Sequence, residues 1–474
     1  MQNFNIFTQV QNELNEFFTD RIQLAKLQDA STIRYGSRGK DEGYLFNQAN
    51  TIALIDLFFN SKFENGPKDR LNQRKVFLNI SRFRTEVAAK QIDIDSKDIR
   101  FIPDDYANPW AAFFMQKEFQ EWVKESDFAE LLNTSVDNFP KYGSVVHKKV
   151  KNDVAWMPIQ LLRNEQTAES LQTAAYVIED HPDMKPWEIK EMPNWNLSGF
   201  DLKYAENYNI HERYGHVPLS WLNAHNGKAV GDGDSEEFVD AIAIIAIDSK
   251  ARGKSKQGHV FYAEQIKERP YREAHWKRQH GRWLGMGVME DLLENQKMQN
   301  IIINLQRRGL HWSAKRVLQS ANSEVVKKNL LKDVSDGEIL EVGPNGEVKQ
   351  VDLASRSNAE FQQIMNNVEN NSNQQAFTYE VATGESLAAG TPFRLGVLLQ
   401  NAVNSYFGLK REKLGLFLKD VIMEFMVPRF IKQMSDKDRI IAMFSDEPGF
   451  DALKQAAMDL AQSEVVRVQL LNGE

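Results

Sequence analysis

The chain has 474 residues, of which 42% are hydrophobic, 26% are charged and none is cysteine, and its formal net charge is −8. This composition is that of a folded globular protein, and it excludes wholesale disorder, disulfide bonds and thiolate metal sites. The longest nearly apolar run, residues 241–247, is far too short to span a bilayer, and no secretory signal is evident near Met1. The acidic balance also argues against a conventional DNA-gripping protein, because Lys and Arg dominate that affinity.

Helical periodicity dominates the first third of the chain. From Arg74 onwards the pattern predicts a helix whose exposed positions include Arg82, Arg84 and Glu86, followed by short strands that close at Pro103. Apolar residues at helical spacing predict three further helices, over residues 7–30, 47–63 and 110–132.

The middle of the chain alternates as strands do. Two strands, over residues 142–150 and 154–162, are predicted to join at a Lys-Asn-Asp turn. Strand-like alternation continues over residues 175–268, broken by loops rich in Pro and Gly. Helical spacing returns after Gly285, and the helix is expected to end at Gly309.

The last third combines a strand-and-turn stretch with helices. A helix capped by Ser357 is expected to dissolve into a polar run over residues 366–375. The strongest helical signal covers residues 393–434, about 60 Å of helix at 1.5 Å per residue. We expect it to kink near Pro428, and we expect a further amphipathic helix over residues 451–468.

Three local patterns suggest catalysis, and each lacks a required part. Gly253-Lys254-Ser255 resembles the end of a phosphate-binding loop, but Asp248 stands where that loop needs glycine and a strand is expected after it. His211, Glu212 and His216 have the residue types of a zinc site, but the two histidines lack the i,i+4 spacing on a helix that such a site needs. Asp232, Asp234 and Glu236 could bind a hard cation, but they lack the twelve-residue ligand pattern of a calcium loop. The sequence therefore predicts a protein that is not an enzyme and has neither a metal nor a cofactor.

Four stretches, taken in order, resemble the portal proteins of phages, most closely those of crAss-like and related short-tailed phages. "KYGSVVHKKV" resembles a strand of the portal wing, and "HGRWLGMGVMEDLLENQKMQNIIINLQRRGLHWSAKRVL" resembles the turn and first stem helix that lead into the clip. "LLKDVSDGEILEVGPNGEVKQVDL" resembles the rest of the clip. "FTYEVATGESLAAGTPFRLGVLLQNAVNSYFGLKREKLGLFLKDVIMEFMVPRFIK" is similar to the tunnel loop and the long helix behind it.

The resemblance implies an α+β, portal-type fold with a mixed α/β wing, a helical stem, a small α/β clip and a long tunnel-side helix. Portals of this type usually continue into a crown or barrel, so the crown here is expected to be minimal or truncated. The implied division is residues 1–285 (wing), 286–308 (first stem helix), 309–354 (clip), 355–375 (second stem helix), 376–391 (tunnel loop), 392–434 (long helix) and 435–474 (C-terminal helical part).

The function implied by the resemblance is structural. A dodecameric ring at one capsid vertex would pass double-stranded DNA, without sequence specificity, during packaging and ejection. Its partners would be the major capsid protein, a head–tail adaptor and a terminase motor, in a virion assembled in the bacterial cytoplasm and without a membrane. The alternative is a head–tail adaptor or minor capsid protein.

Two sets of residues are candidates for these contacts. Small or neutral polar side chains suit a channel through which DNA slides, whereas a basic cluster with an aromatic anchor suits a docking surface. The channel candidates are Asn370, Asn371, Gln374, Glu385 and Ser386, and the clip docking candidates are Trp312, Lys315, Arg316, Lys327 and Lys328.

Overall fold

A computed structural model describes most of the chain. The residues described are 5–23, 45–69, 72–103, 109–151, 153–203, 206–230, 237–247, 258–313, 317–320, 348–351, 358–379, 382, 393–434 and 466–470.

Helices and antiparallel strands both contribute, which confirms the α+β class. The helices of the described residues are Ile6–Thr19 (α1), Gln48–Phe59 (α2), Ile80–Gln91 (α3), Pro109–Glu125 (α4), Phe128–Tyr142 (α5), Pro186–Glu191 (α6), Leu219–His225 (α7), Val288–Asp291 (α8), Leu293–Ser313 (α9), Asn358–Ala376 (α10), Phe393–Val421 (α11) and Val427–Met434 (α12). None of the helices in this described part is long and apolar enough to cross a membrane.

The strands form five sheets in the described ranges, with antiparallel pairing throughout. A five-stranded sheet has the order β10-β9-β8-β7-β6, a three-stranded sheet has the order β11-β4-β5, and β1–β2, β12–β13 and β3–β14 form pairs. The bounds are Ile22–Gln23 (β1), Leu45–Phe46 (β2), Ile99–Pro103 (β3), Ser144–Val150 (β4), Asp153–Met157 (β5), Leu162–Asn164 (β6), Tyr176–Met184 (β7), Tyr208–Pro218 (β8), Phe238–Ile247 (β9), Gly258–Gln265 (β10), Tyr271–His275 (β11), Val317–Ser320 (β12), Val348–Val351 (β13) and Val466–Leu470 (β14).

The five-stranded sheet is covered on both faces, which explains the apolar run in β9. Ile6, Val10 and Leu14 of α1 pack on one face, where Ala243 and Ile245 of β9 are fully buried. On the other face, a second cluster contains Ile244 and Ala246 of β9 with Ile189, Ile210 and Phe261. A strand covered on both sides needs apolar residues at every position rather than at alternate ones.

The chain divides into two compact units, and both are discontinuous in sequence. The first contains residues 1–56, 84–291 and 377–474, and the second contains residues 57–83 and 292–376. The second unit therefore includes α9 and α10 and, in addition, a segment from the first hundred residues.

Several predicted helix boundaries were wrong because backbone geometry ended a helix where apolar spacing did not. The predicted helix over residues 7–30 stops at Thr19, since Asp20 is extended, with φ −75° and ψ 141°. The predicted helix over residues 110–132 is two helices, α4 and α5, which meet at Ser126 and Asp127. Asp127 leaves the helical region, and its carbonyl accepts the first hydrogen bond of α5, from the Leu131 amide.

Other helices extend further than the sequence predicted. Gly309 lies inside α9, which ends at Ser313; glycine in a helix costs only about 1 kcal/mol relative to alanine, which packing can offset. The polar run 366–375 is helical to its end, as part of α10. Residues 466–468, predicted as helix, belong to β14, while residues 451–465 lie outside the described residues. Arg84, predicted to be exposed, is buried.

Candidate subunit-contact and channel surfaces

Helices α9 and α10 pack against each other in the second unit through amide side chains. Asn295 of α9 donates to the Gln375 side chain of α10 at 2.8 Å, and Asn371 donates to Asn295 at 3.4 Å. Ser372 of α10 is fully buried and donates back to the Val368 carbonyl at 2.7 Å. These contacts give the polar run a helical partner, and they explain why it does not become a loop.

A second face of α9 binds an extended segment of its own chain through a ladder of amide side chains. Gln296, Asn300 and Asn304 follow one another at i,i+4 spacing and lie on one helix face. Asn304 accepts from the Val76 amide at 2.9 Å and donates to the Val76 carbonyl at 2.8 Å. Asn300 accepts from the Leu78 amide at 3.1 Å.

Gln296 completes this ladder at the start of α3. Its side chain is fully buried, donates to the Leu78 carbonyl at 2.6 Å and accepts from the Ile80 amide at 2.8 Å and the Ser81 amide at 3.0 Å. The ladder was not predicted from the sequence, because Gln and Asn side chains on a helix are also typical of an ordinary solvent-exposed polar face. The sequence pattern that could have indicated it is the i,i+4 repeat of Gln and Asn.

The third face of α9 is apolar and exposed. Met298, Ile301 and Leu305 are 48%, 55% and 37% exposed, and they follow one another at i, i+3 and i+7. These positions lie on the opposite side of the helix from the amide ladder, while Ile302 is buried. The chain's own contacts therefore cover two faces of α9 and leave this apolar stripe exposed.

The channel candidates on α10 are placed by the structure. Asn370, Asn371 and Gln374 are exposed, and they lie on a helix rather than on the predicted polar run without regular structure. Asn371 contacts Asn295, so its amide is partly engaged within the unit. Glu385 and Ser386 lie outside the described residues.

The clip candidates are only partly covered by the structure. Trp312 lies in the last turn of α9, seven residues after Leu305. The strand pair β12–β13, with Val317 opposite Val351, is the part of the predicted clip that is described. The basic candidates lie outside the described residues; they are Lys315, Arg316, Lys327 and Lys328.

In the first unit, three glycines bring two distant stretches of backbone into direct contact. Gly143 has φ +77°, and a Cβ there would lie 2.3 Å from the Gly287 nitrogen and 2.4 Å from the Gly285 oxygen. A Cβ on Gly285 would lie 2.2 Å from the Gly143 oxygen. The Ser144 hydroxyl accepts from the Gly285 amide at 2.8 Å, so this glycine junction also aligns β4 with the segment before α8.

The long helix α11 packs on the same region. Lys410 is buried and donates from Nζ to the Trp276 carbonyl at 2.6 Å, with the indole ring 4.9 Å from the ammonium. Burial, followed by the charges of Lys413 and Lys277, lowers the pKa of Lys410 to about 8. Further along the helix, the Phe417 ring lies 4.7 Å from the His147 ring of β4.

The interruption predicted near Pro428 takes the form of a π-helical turn, Ile422–Met426, between α11 and α12. Proline has no amide hydrogen, so Pro428 cannot donate to the Glu424 carbonyl four residues before it. Lys149 donates to that carbonyl instead, at 3.4 Å. The Glu424 side chain also pairs with Arg272 of β11, which ties the π turn to the three-stranded sheet.

The histidines of the "HERYGH" pattern lie on a strand, β8, as the absence of helical spacing predicted. His211 Nδ1 is 2.8 Å from the Asp180 carboxylate, while His216 is exposed, so the two do not converge. The phosphate-loop pattern, residues 253–255, lies outside the described residues, and the strand expected after it is β10. The cation candidates Asp232, Asp234 and Glu236 also lie outside the described residues.

A different group in the first unit has the ligand types of a metal site. Glu179, His181 and Glu212 hold carboxylate and imidazole atoms within 4.8 Å of one another. The Lys148 ammonium already lies among them, 2.5 Å from Glu179 and 2.9 Å from Glu212.

The carboxylates of this group are already paired with a lysine. Although burial opposes it, hydrogen bonds from His181 and Tyr214 and the charge of Lys148 lower the pKa of Glu212 to about 2. Burial opposes it, but the same carboxylates raise the pKa of Lys148. A protonated lysine between two carboxylates acts as a buried ion pair joining β4 to β7 and β8, which gives the group a structural role.

Comparison of the chain with protein-family models and with curated proteins finds no match.

Proposed function

We propose that this chain is the subunit of a phage portal, a ring of about twelve copies through which double-stranded DNA enters and leaves a capsid. The observation that carries the proposal is the third face of α9. Two faces of this helix are covered by the subunit's own amide contacts, and the remaining face is an exposed stripe of Met298, Ile301 and Leu305. A ring buries such a stripe, because each subunit presents two different faces to its neighbours.

The contacts between the motif stretches also support this proposal. Gly143 of "KYGSVVHKKV" and Gly285 and Gly287 of "HGRWLGMGVMED" are in backbone contact, although more than a hundred residues separate them. The long helix of the fourth stretch packs on the same region through Lys410 and Trp276. Stretches that resemble the portal family in order along the chain thus also pack together in space.

The described residues of the proposed channel surface are polar and uncharged. Asn370 and Gln374 offer exposed amides, which contact phosphates without the strong counterion release that Lys and Arg bring. Glu385 and Ser386 are proposed to line the same channel. The clip, with Trp312 and the nearby basic residues, is proposed to dock the adaptor or the terminase motor, and the major capsid protein would surround the ring.

The test is negative-stain electron microscopy of the purified full chain, together with its mass in solution. We expect rings of about twelve subunits around an open channel. Ile301→Asp should yield monomers, because a carboxylate would have to be buried between subunits. The unfolding free energy of the monomeric variant should differ from that of the wild-type monomer by less than about 0.5 kcal/mol, since Ile301 is exposed in the single chain.

Val230→Asp is the matched control, because Val230 is 52% exposed and belongs to the first unit, whereas α9 belongs to the second. This variant should form rings. A wild-type protein that stays monomeric from low to high salt, and binds only to rings formed by another protein, would favour the head–tail adaptor instead. Rings that persist in Ile301→Asp would show that the α9 stripe is not the subunit contact.

A further inference from the structure

The first unit contains a cleft that neither the proposed ring nor the channel uses. It lies between β3 with its preceding 3₁₀ turn, Ser96–Asp98, and helix α4, and its volume is ≈ 620 Å³. Its floor is apolar, with Phe101 and Phe119 buried and Phe113 36% exposed. The lining residues are Ser96, Lys97, Arg100, Phe101, Ala112, Phe113, Gln116, Phe119, Gln120, Val123 and Lys124.

The charged residues of this wall are all cations. Lys97, Arg100 and Lys124 are exposed, and among the described residues no carboxylate is paired with any of them. The neighbouring carboxylate of Asp98 is engaged with other groups. Asp98 accepts from the Asp95 amide at 3.3 Å and lies 3.6 Å from the Arg411 guanidinium.

The polar part of the wall offers side-chain hydrogen-bonding groups beside a closed strand edge. One edge of β3 pairs with β14, and the other edge is closed by a side chain. Gln116 accepts from the Phe101 amide at 2.9 Å and donates to the Ile99 carbonyl at 3.2 Å, as a neighbouring strand would. Gln120 and Ser96 add uncharged groups that can donate and accept beside this edge.

We propose that this cleft binds a short acidic segment of a partner protein that carries one large apolar side chain. The phenylalanine floor would bury that side chain, and the three cations would meet carboxylates on either side of it. The volume lies in the range of sites for ligands of this size, about 300–1,000 Å³. Nucleic acid fits less well, because much of the lining is apolar and only three cations are available for phosphates.

The test is fluorescence anisotropy with the full chain and a labelled hexapeptide in which acidic residues flank a single phenylalanine. Affinity should fall about tenfold or more when alanine replaces the phenylalanine, and also when lysines replace the acidic residues. Arg100→Glu and Lys124→Glu should each weaken binding about tenfold, since these exposed side chains change the charge of the wall without entering a core.

Lys228→Glu is the matched control, because Lys228 is exposed and lies outside the cleft. It should bind the hexapeptide as the wild type does. Binding that is unchanged in both cleft variants would overturn the proposal, as would equal displacement of the hexapeptide by a single-stranded oligonucleotide of the same charge. None of these outcomes depends on whether rings form.

Discussion

At the residue scale, the glycine junction makes the most local demand on the sequence. Gly143 needs both a left-handed backbone and the absence of a side chain, because Gly285 and Gly287 approach it backbone to backbone. Gly143→Ala should therefore destabilise the protein by about 3 kcal/mol or more, combining φ strain with a backbone clash. Urea unfolding measures this change.

Gly66 provides a control for the part of that free-energy loss that comes from backbone strain. It also has a positive φ, +71°, but an added Cβ would meet nothing within 4 Å. Gly66→Ala should cost only about 1–2 kcal/mol, the strain alone. Equal losses in the two variants would show that close packing at the junction contributes nothing.

His147 gives the protein a pH dependence of known sign. It is fully buried beside Phe417, its Nε2 lies 2.7 Å from the Ser135 hydroxyl, and burial lowers its pKa from 6.5 to about 3. As the pH falls below 6.5, the unfolded chain gains a proton at this residue that the folded chain does not. Stability should then fall by at most about 1.4 kcal/mol per pH unit from this residue.

The measurement is urea unfolding between pH 6.5 and 4.5. In this window Glu212, whose pKa is lowered from 4.5 to about 2, contributes little, because its share of stability is lost only below 4.5. His147→Gln keeps a hydrogen-bonding group for Ser135 and removes the titration. An unchanged slope in this variant would show that another group is responsible.

At the element scale, the Gln296 side chain of α9 makes hydrogen bonds to the backbone at the start of α3 that a neighbouring strand would otherwise make. Gln296→Leu would leave the buried Ile80 and Ser81 amides without an acceptor. The expected cost is about 2–6 kcal/mol, because each of the two unsatisfied buried amides costs about 1–3 kcal/mol. Hydrogen exchange should show reduced protection of the Ile80 and Ser81 amides, while Gln306→Leu on the same helix should leave it unchanged. Retained protection in Gln296→Leu would refute this role.

Elements were predictable where one periodicity acted alone. Strand β4, its turn into β5, helix α3 and the long helix up to Pro428 follow from spacing, turn residues and the missing proline amide. Their bounds were less accurate, since β5 ends at Met157 rather than at residue 162 and α3 begins at Ile80 rather than near Arg74. The boundary at Asp127 and the helical end of α10 were not predictable in this way. The first is set by the dihedral angles of Asp127, and the second by contacts with Asn295, which the local sequence does not contain.

At the scale of the whole molecule, the candidate sites also depend on contacts that the local sequence does not contain. The exposed stripe on α9 could be seen as apolar positions, but its exposure depends on which faces the segment before α3 and helix α10 cover. The cleft between β3 and α4 and the ion pairs of Lys148 join residues from separate elements. Only the chain's topology brings these residues together, so sequence patterns could not indicate them.

Net charge leads to the last prediction. The chain is acidic, at −8, and an assembled ring repeats that charge in every subunit, so DNA should pass through the proposed channel without being held. Glu385→Lys would replace a negative charge with a positive one in every subunit at the proposed bore. Rings of this variant should retain double-stranded DNA in mobility-shift assays at low salt, release it as salt rises, and package DNA more slowly.

Glu130→Lys is the control for this prediction, because it makes the same charge change at an exposed position in the first turn of α5. It should leave both DNA retention and packaging as in the wild type. If both variants retained DNA equally, net charge alone would be responsible; if Glu385→Lys rings packaged DNA normally, Glu385 would not line the channel.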